Sequence, residues 1–147
     1  FHSLSVVCIF GADTVISAKD DVVERVKEAN GGMLADKVIL CTGARPAIAQ
    51  ALSSIERGGT LMFFAVPPPG EDVPVPMGQF WRDEISLKTS YAASPGDILR
   101  ASQLLKLGRV EATEMITHRF PLAEAQKAFQ AVACAGESLK VVVNPQE

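Results

Sequence analysis

Apolar positions along this chain come in two textures. In one they recur at helical spacing. "AKDDVVERVKEANGG" sets Val22, Val23 and Val26 on one face, with acids near its start and Asn30-Gly31-Gly32 as a stop, and so predicts an amphipathic helix. "RPAIAQALSSIERGG" predicts a second, with Pro46 in the first turn, where a missing N–H costs little, and Gly58-Gly59 at its end. "PGDILRASQLLKLGR" predicts a third, with Ile98, Ala101 and Leu105 on one side. "PLAEAQKAFQAVACAG" predicts a fourth, in which Leu122, Ala125, Phe129 and Val132 face a core.

The other texture is the continuous apolar run. "KVILCTG" (37–43) and "TLMFFAV" (60–66) read as strands covered on both faces in a parallel sheet. "DTVIS" (13–17), "EISLKTSYA" (84–92), "EMITHRF" and "SLKVVVN" read as further extended segments, and residues 1–12 fit either a short strand or the end of a helix. "PPPGEDVPVPMG" (67–78) is too rich in proline for a sheet interior and reads as an extended surface loop. Strands alternating with helices predict right-handed βαβ units in a doubly wound sheet. The texture changes near residue 113, so we expect one segment over 1–112 and another over 113–147.

Composition narrows the picture. A hydrophobic content of 48% over 147 residues suits a packed globule. A formal charge of −3 gives no basic footprint for nucleic acid, and no apolar run approaches the ~20 residues of a membrane span. Cys8, Cys41 and Cys134 are scattered without C-x-x-C spacing; they suggest buried thiols and a reducing cytoplasm, not a zinc knuckle or a disulfide framework.

Candidate chemistry gathers where the strands end, since open α/β sheets bind ligands at their carboxyl edge. Those ends are Cys41-Thr42-Gly43 and Ala65-Val66-Pro67. Gly43 permits close backbone approach, or merely shapes the turn, and Thr42 offers a hydroxyl. Tyr91 follows another strand and fits a ligand contact or core packing equally, while Lys140 opens the last strand, either reaching a phosphate or lying exposed. His118 has no neighbouring cysteine or carboxylate and reads as structural, and His2 supports nothing. There is no G-x-G-x-x-G loop, no G-x-S-x-G elbow and no H-E-x-x-H pair. These features alone define part of a Rossmann-type sheet with a ligand edge, and name no reaction.

The segments "FGADTVIS", "ADKVILCTGARPAIAQAL", "GGTLMFFAVPP", "DEISLKTSYAASPGD", "LLKLGRVE", "ITHRFPLAEAQKAF" and "LKVVV" resemble, in order and spacing, the medium-chain dehydrogenase/reductase family, in its zinc-type alcohol, sorbitol and threonine dehydrogenase branch. The resemblance implies a partial Rossmann domain (1–112), without its first strand and Gly-rich loop, and a tail (113–147) that returns to the catalytic domain. It makes Thr42 and Gly43 contacts of the adenosine side, Ala65, Val66, Pro67 and Tyr91 neighbours of the nicotinamide, and Lys140 a neighbour of the pyrophosphate.

By the same resemblance, the intact enzyme transfers hydride between a small alcohol or polyol and NAD or NADP. It uses a zinc ion whose ligands lie outside this chain, and it works as a homo-oligomer. No catalytic residue falls within the 147, so the isolated chain is expected to be inactive. Residues 1–9 fit the pattern poorly. The competing expectations are a zinc-free quinone or enoyl reductase of the same family, and a non-catalytic nucleotide-binding or interaction module.

Overall fold

The computed structural model describes residues 10–134, 136 and 138–146; the expectations placed on residues 1–9, with His2 and Cys8, lie outside them. By contacts the chain divides into two compact units, one spanning Ile16–Ala92 and the other built mainly from Ala93 onward.

The first unit begins with α1 (Val22–Ala29). Asp21 caps it by accepting from the Glu24 N–H, and the Asn30 side chain donates to the Leu34 carbonyl, tying the following turn. β1 (Ala35–Leu40), α2 (Arg45–Ser53) and β2 (Ile55–Phe63) follow, then a short helix α3 (Met77–Arg82) and β3 (Ser86–Thr89). The strands form a parallel sheet in the order β1-β2-β3, with Val38 beside Leu61 and Leu61 beside Leu87. Register assigns side chains to faces. Leu40, Leu61 and Phe63 point to the same side and pack with Ile48 and Ala51 of α2 as the core. Leu61 is fully buried.

Several sequence expectations shift. "DTVIS" forms no strand: among the described residues it joins no sheet, and a lone strand has nothing to satisfy its backbone groups. The second helix stops at Ser53, short of the glycines. The Ser54 hydroxyl donates back to the Gln50 carbonyl, and Ile55 enters the sheet as a buried residue opposite Ala35. Gly58 and Gly59 therefore belong to β2, where the register jumps from Ala35↔Ile55 to Lys37↔Thr60. Gly58 has φ +74°, a region that favours glycine, and its N–H donates to the Asp83 carbonyl at 2.7 Å. The Glu56 carboxylate accepts from the Leu34 and Arg57 N–H groups, Leu34 foremost, and these hold its carboxyl below the usual range.

Among the described residues of this unit, only one face of the sheet is covered by helix. On the side of the sheet away from α2, Ile39 is 64% exposed and Met62 only half-buried. α3 was not anticipated either. Pro76 leads into it and Phe80, 2% exposed, anchors it.

In the second unit, α4 (Pro95–Lys106) precedes a parallel pair, β4 (Ile116–Pro121) and β5 (Lys140–Asn144), joined by α5 (Ala125–Cys134). α5 buries Ala128, whereas Leu122, Phe129 and Val132 are exposed, correcting the expected core face. Ile98 and Leu105 of α4 are exposed as well. Cys41 and Cys134 are also exposed, not buried thiols. His118 is half-buried, bonded to the Thr117 hydroxyl and stacked on Phe120 with ring centroids 6.3 Å apart, which agrees with a structural role.

α4 opens with a capping box: the Ser94 hydroxyl accepts from the Asp97 N–H, and the Asp97 carboxylate accepts from the Ser94 N–H. The Ser94 side chain, then its backbone N–H, hold the Asp97 carboxyl below its ordinary value. A depressed carboxyl contributes stability above the ordinary aspartate range and loses it as pH falls through the folded value. Acid is therefore expected to fray the start of α4 only below that range, with Ser94→Ala moving the onset upward; amide NMR through an acid titration checks this. Leu61→Ala is expected to cost about 2–5 kcal/mol by opening a cavity in the core, read by urea unfolding.

Candidate functional site

The carboxyl end of the sheet is built by what happens as β1 and β2 stop. The Phe64 and Ala65 N–H groups both donate to the Leu40 carbonyl at 3.0 Å, so the last rung ties the two strand ends together. Beyond it each strand end passes into its own turn. One passes through Cys41-Thr42-Gly43 into α2, and the other leaves β2 through Ala65-Val66-Pro67.

These two turns touch. A Cβ built on Gly43 would lie 2.3 Å from the Val66 carbonyl oxygen and 3.1 Å from the Pro67 Cα. The first distance is far inside van der Waals contact, and the obstacle is backbone, which cannot rotate away. Gly43 is thus where two main chains meet face to face, a stronger constraint than shaping a turn. Thr42 is exposed, and its hydroxyl accepts from the Ala44 N–H at 3.3 Å, which leaves the hydroxyl proton free to donate. Val66 is 63% exposed with its carbonyl turned inward, Ala65 is half-buried and Pro67 is buried.

Tyr91 stands two residues beyond β3 and is 99% exposed, which excludes core packing within this chain. The Ser90 N–H donates to the Phe63 carbonyl, so this segment leaves the sheet at the same end as the other two turns. Ala92, which follows, has φ +57°, a left-handed backbone that costs a non-glycine residue roughly 1–2 kcal/mol. Nothing in the local sequence signalled that strain. Lys140 lies in the second unit, where it is exposed, starts β5 and pairs with Ile116; its carbonyl accepts from the Thr117 hydroxyl at 3.3 Å.

The structure thus brings Thr42, Gly43, Ala65, Val66 and Pro67 into one edge, with Tyr91 at the same end of the sheet. Among the described residues, no three His, Cys, Asp or Glu side chains come together as a metal ion would require.

A parallel sheet with a helical crossover and two touching turns at its carboxyl end defines the Rossmann type of α/β fold. Comparison with known proteins narrows this to a family. Residues 2–107 match the zinc-binding dehydrogenase model, and the chain belongs to that family. It is 31% identical to sorbitol dehydrogenase of Halalkalibacterium halodurans, over 92% of this chain and 39% of the relative. It is 32% identical to erythritol/L-threitol dehydrogenase of Mycolicibacterium smegmatis, over 92% of this chain and 37% of that protein. The chain therefore spans about two fifths of the length of these relatives.

Among solved structures, the fold matches L-idonate 5-dehydrogenase from Escherichia coli with a TM-score of 0.81 at 19% identity, covering 97% of this chain and 40% of that one. It matches the alcohol dehydrogenase of Aeropyrum pernix equally well, at 0.81 and 20% identity, with 97% and 40% covered. The expected zinc-type branch of the medium-chain dehydrogenases is thereby borne out.

Two substitutions test the edge. Gly43→Ala is expected to destabilise the chain by about 1–3 kcal/mol, because the new methyl must part the two turns. Ala92→Gly is expected to gain about 1 kcal/mol by relieving the left-handed strain. Chemical denaturation of both variants checks the opposite signs.

Proposed function

We propose that this chain is the cofactor-positioning portion of an NAD(P)-dependent dehydrogenase acting on a small alcohol or polyol. Family membership and the sugar-alcohol dehydrogenases among its relatives support this reading. The observation that carries it is the contact of Gly43 with the Val66 carbonyl, which joins two strand-end turns into a single ligand edge. On this reading Thr42 and Gly43 meet the adenosine side, Ala65, Val66, Pro67 and Tyr91 border the nicotinamide, and Lys140 serves the pyrophosphate. Residues 1–112 would belong to the dinucleotide-binding domain and 113–147 to the segment returning to the catalytic domain.

The chain's own residues would bind and orient. The Thr42 hydroxyl donates to a ribose or amide oxygen. The 65–67 turn, with the Val66 carbonyl set against Gly43, offers the surface against which a flat ring lies. The nicotinamide, when bound, supplies the hydride acceptor or donor. Among the described residues no cluster fits a metal ion; the family resemblance would place the ligands of a zinc ion outside this chain, and no step here runs through it. The intact protein would work in the cytoplasm; among the described residues no helix is long and apolar enough to cross a membrane. A homo-oligomer finds support in β3, which among the described residues pairs with β2 on one side only and is exposed along its length.

The 147-residue chain is expected to show no alcohol or polyol oxidation with NAD, NADP and zinc supplied, and to bind NADH weakly, since it has no glycine-rich loop to hold the phosphates. NADH titration followed by amide NMR is expected to shift Thr42, Gly43, Ala65, Val66 and Tyr91. Shifts confined to α1 would sink the assignment of the edge, and turnover by the chain alone would sink the division of labour.

A further inference from the structure

Residues 67–76 form a strap that leaves β2 at Pro67 and lies along α2 before α3 begins at Met77. Val73 packs against the core cluster. Between strap and helix lies a cavity of about 140 Å³, bordered by Ile48, Leu52, Pro67, Val73 and Pro74. Its firmest polar tie is at Glu71. One oxygen of that carboxylate accepts from the Arg45 Nε at 3.1 Å and from its Nη2 at 2.7 Å.

The two partners are placed with some economy. Arg45 is the first residue of α2, three positions after Thr42, and Glu71 stands four positions after Pro67. Each therefore sits on the segment leaving one of the two turns. Their ion pair joins those segments outside the sheet, while Gly43 and the Val66 carbonyl join the turns at its rim.

We propose that Arg45 and Glu71 are positioning residues, a clasp that holds the strap on α2 and so keeps the Val66 carbonyl seated over Gly43. The clasp sets the spacing between turn 42–44 and turn 65–67 without itself touching the ligand. This rests on reading those turns as the adenosine and nicotinamide contacts. Both side chains are largely exposed, at 68% and 39%, so the effect is modest: about two- to fivefold, the range of a surface ion pair.

The test compares the full chain with Arg45→Gln, with Glu71→Gln, and with the charge-exchanged double variant Arg45→Glu/Glu71→Arg. Two readouts are taken: amide exchange at Phe64 and Ala65, and titration with NADH and with AMP. Each single variant is expected to speed exchange at Phe64 and Ala65 about two- to fivefold, with the α1 amides unchanged. Each is expected to weaken NADH by a similar factor and to leave AMP, which engages one turn only, unaffected. The double variant is expected to restore both.

Unchanged exchange at Phe64 and Ala65 in the single variants overturns the clasp. An equal loss for NADH and AMP overturns its role in spacing the two turns. If neither nucleotide binds the unmodified chain while the exchange effect appears, the cofactor reading of the turns falls. The pair is then purely structural, and the positioning role falls with it.

Discussion

The burial of Leu61 organises the larger unit. It sits in the middle strand with Val38 on one side and Leu87 on the other, under α2, and it has no exposed surface. Removing an apolar side chain of this size from water stabilises a fold by about 1.5–3 kcal/mol, and only the middle strand of three can bury one so completely. Because Leu61 must face α2, period-two alternation obliges Phe63 to do the same, and the strand ends are then fixed in height relative to one another. The meeting of Gly43 with Val66 follows from that. The edge formed by these turns is held by the core below it and does not depend on loop chemistry alone.

Much of this was legible in the sequence. The runs around Val38–Leu40 and Leu61–Phe63, and the helix between them, are long and apolar enough to declare themselves, and the carboxyl-edge rule then picks out Thr42, Gly43 and the 65–67 turn. The boundaries were less legible, for identifiable reasons. Gly58-Gly59 looks like a helix stop, but Ile55 has more to gain by entering the core than by extending α2, so the glycines become an irregularity in β2. "DTVIS" has the composition of a strand but joins no sheet among the described residues. The left-handed Ala92 and the ion pair of Arg45 with Glu71, 26 residues apart, carry no local signal.

The exposed apolar residues have a common explanation. Pattern arguments take for granted that an apolar stripe meets something, and so assign Phe129, Val132 and Ile39 to interiors. In this chain they are exposed. The relatives it matches are more than twice as long, so an apolar stripe has more chain to meet in them than it has among these residues.

Gly43 also bears on how such a site diverges. Flanking it, Thr42 and Ala44 are both exposed and free of any packing demand, while Gly43 itself admits no side chain. Mutational drift is thereby channelled: one position is frozen by backbone contact, and its two neighbours vary at almost no cost to the fold. Changes at positions 42 and 44 alter the surface beside the Gly43 contact while leaving that contact in place. The crowding of two main chains at one point leaves room for innovation on either side of it.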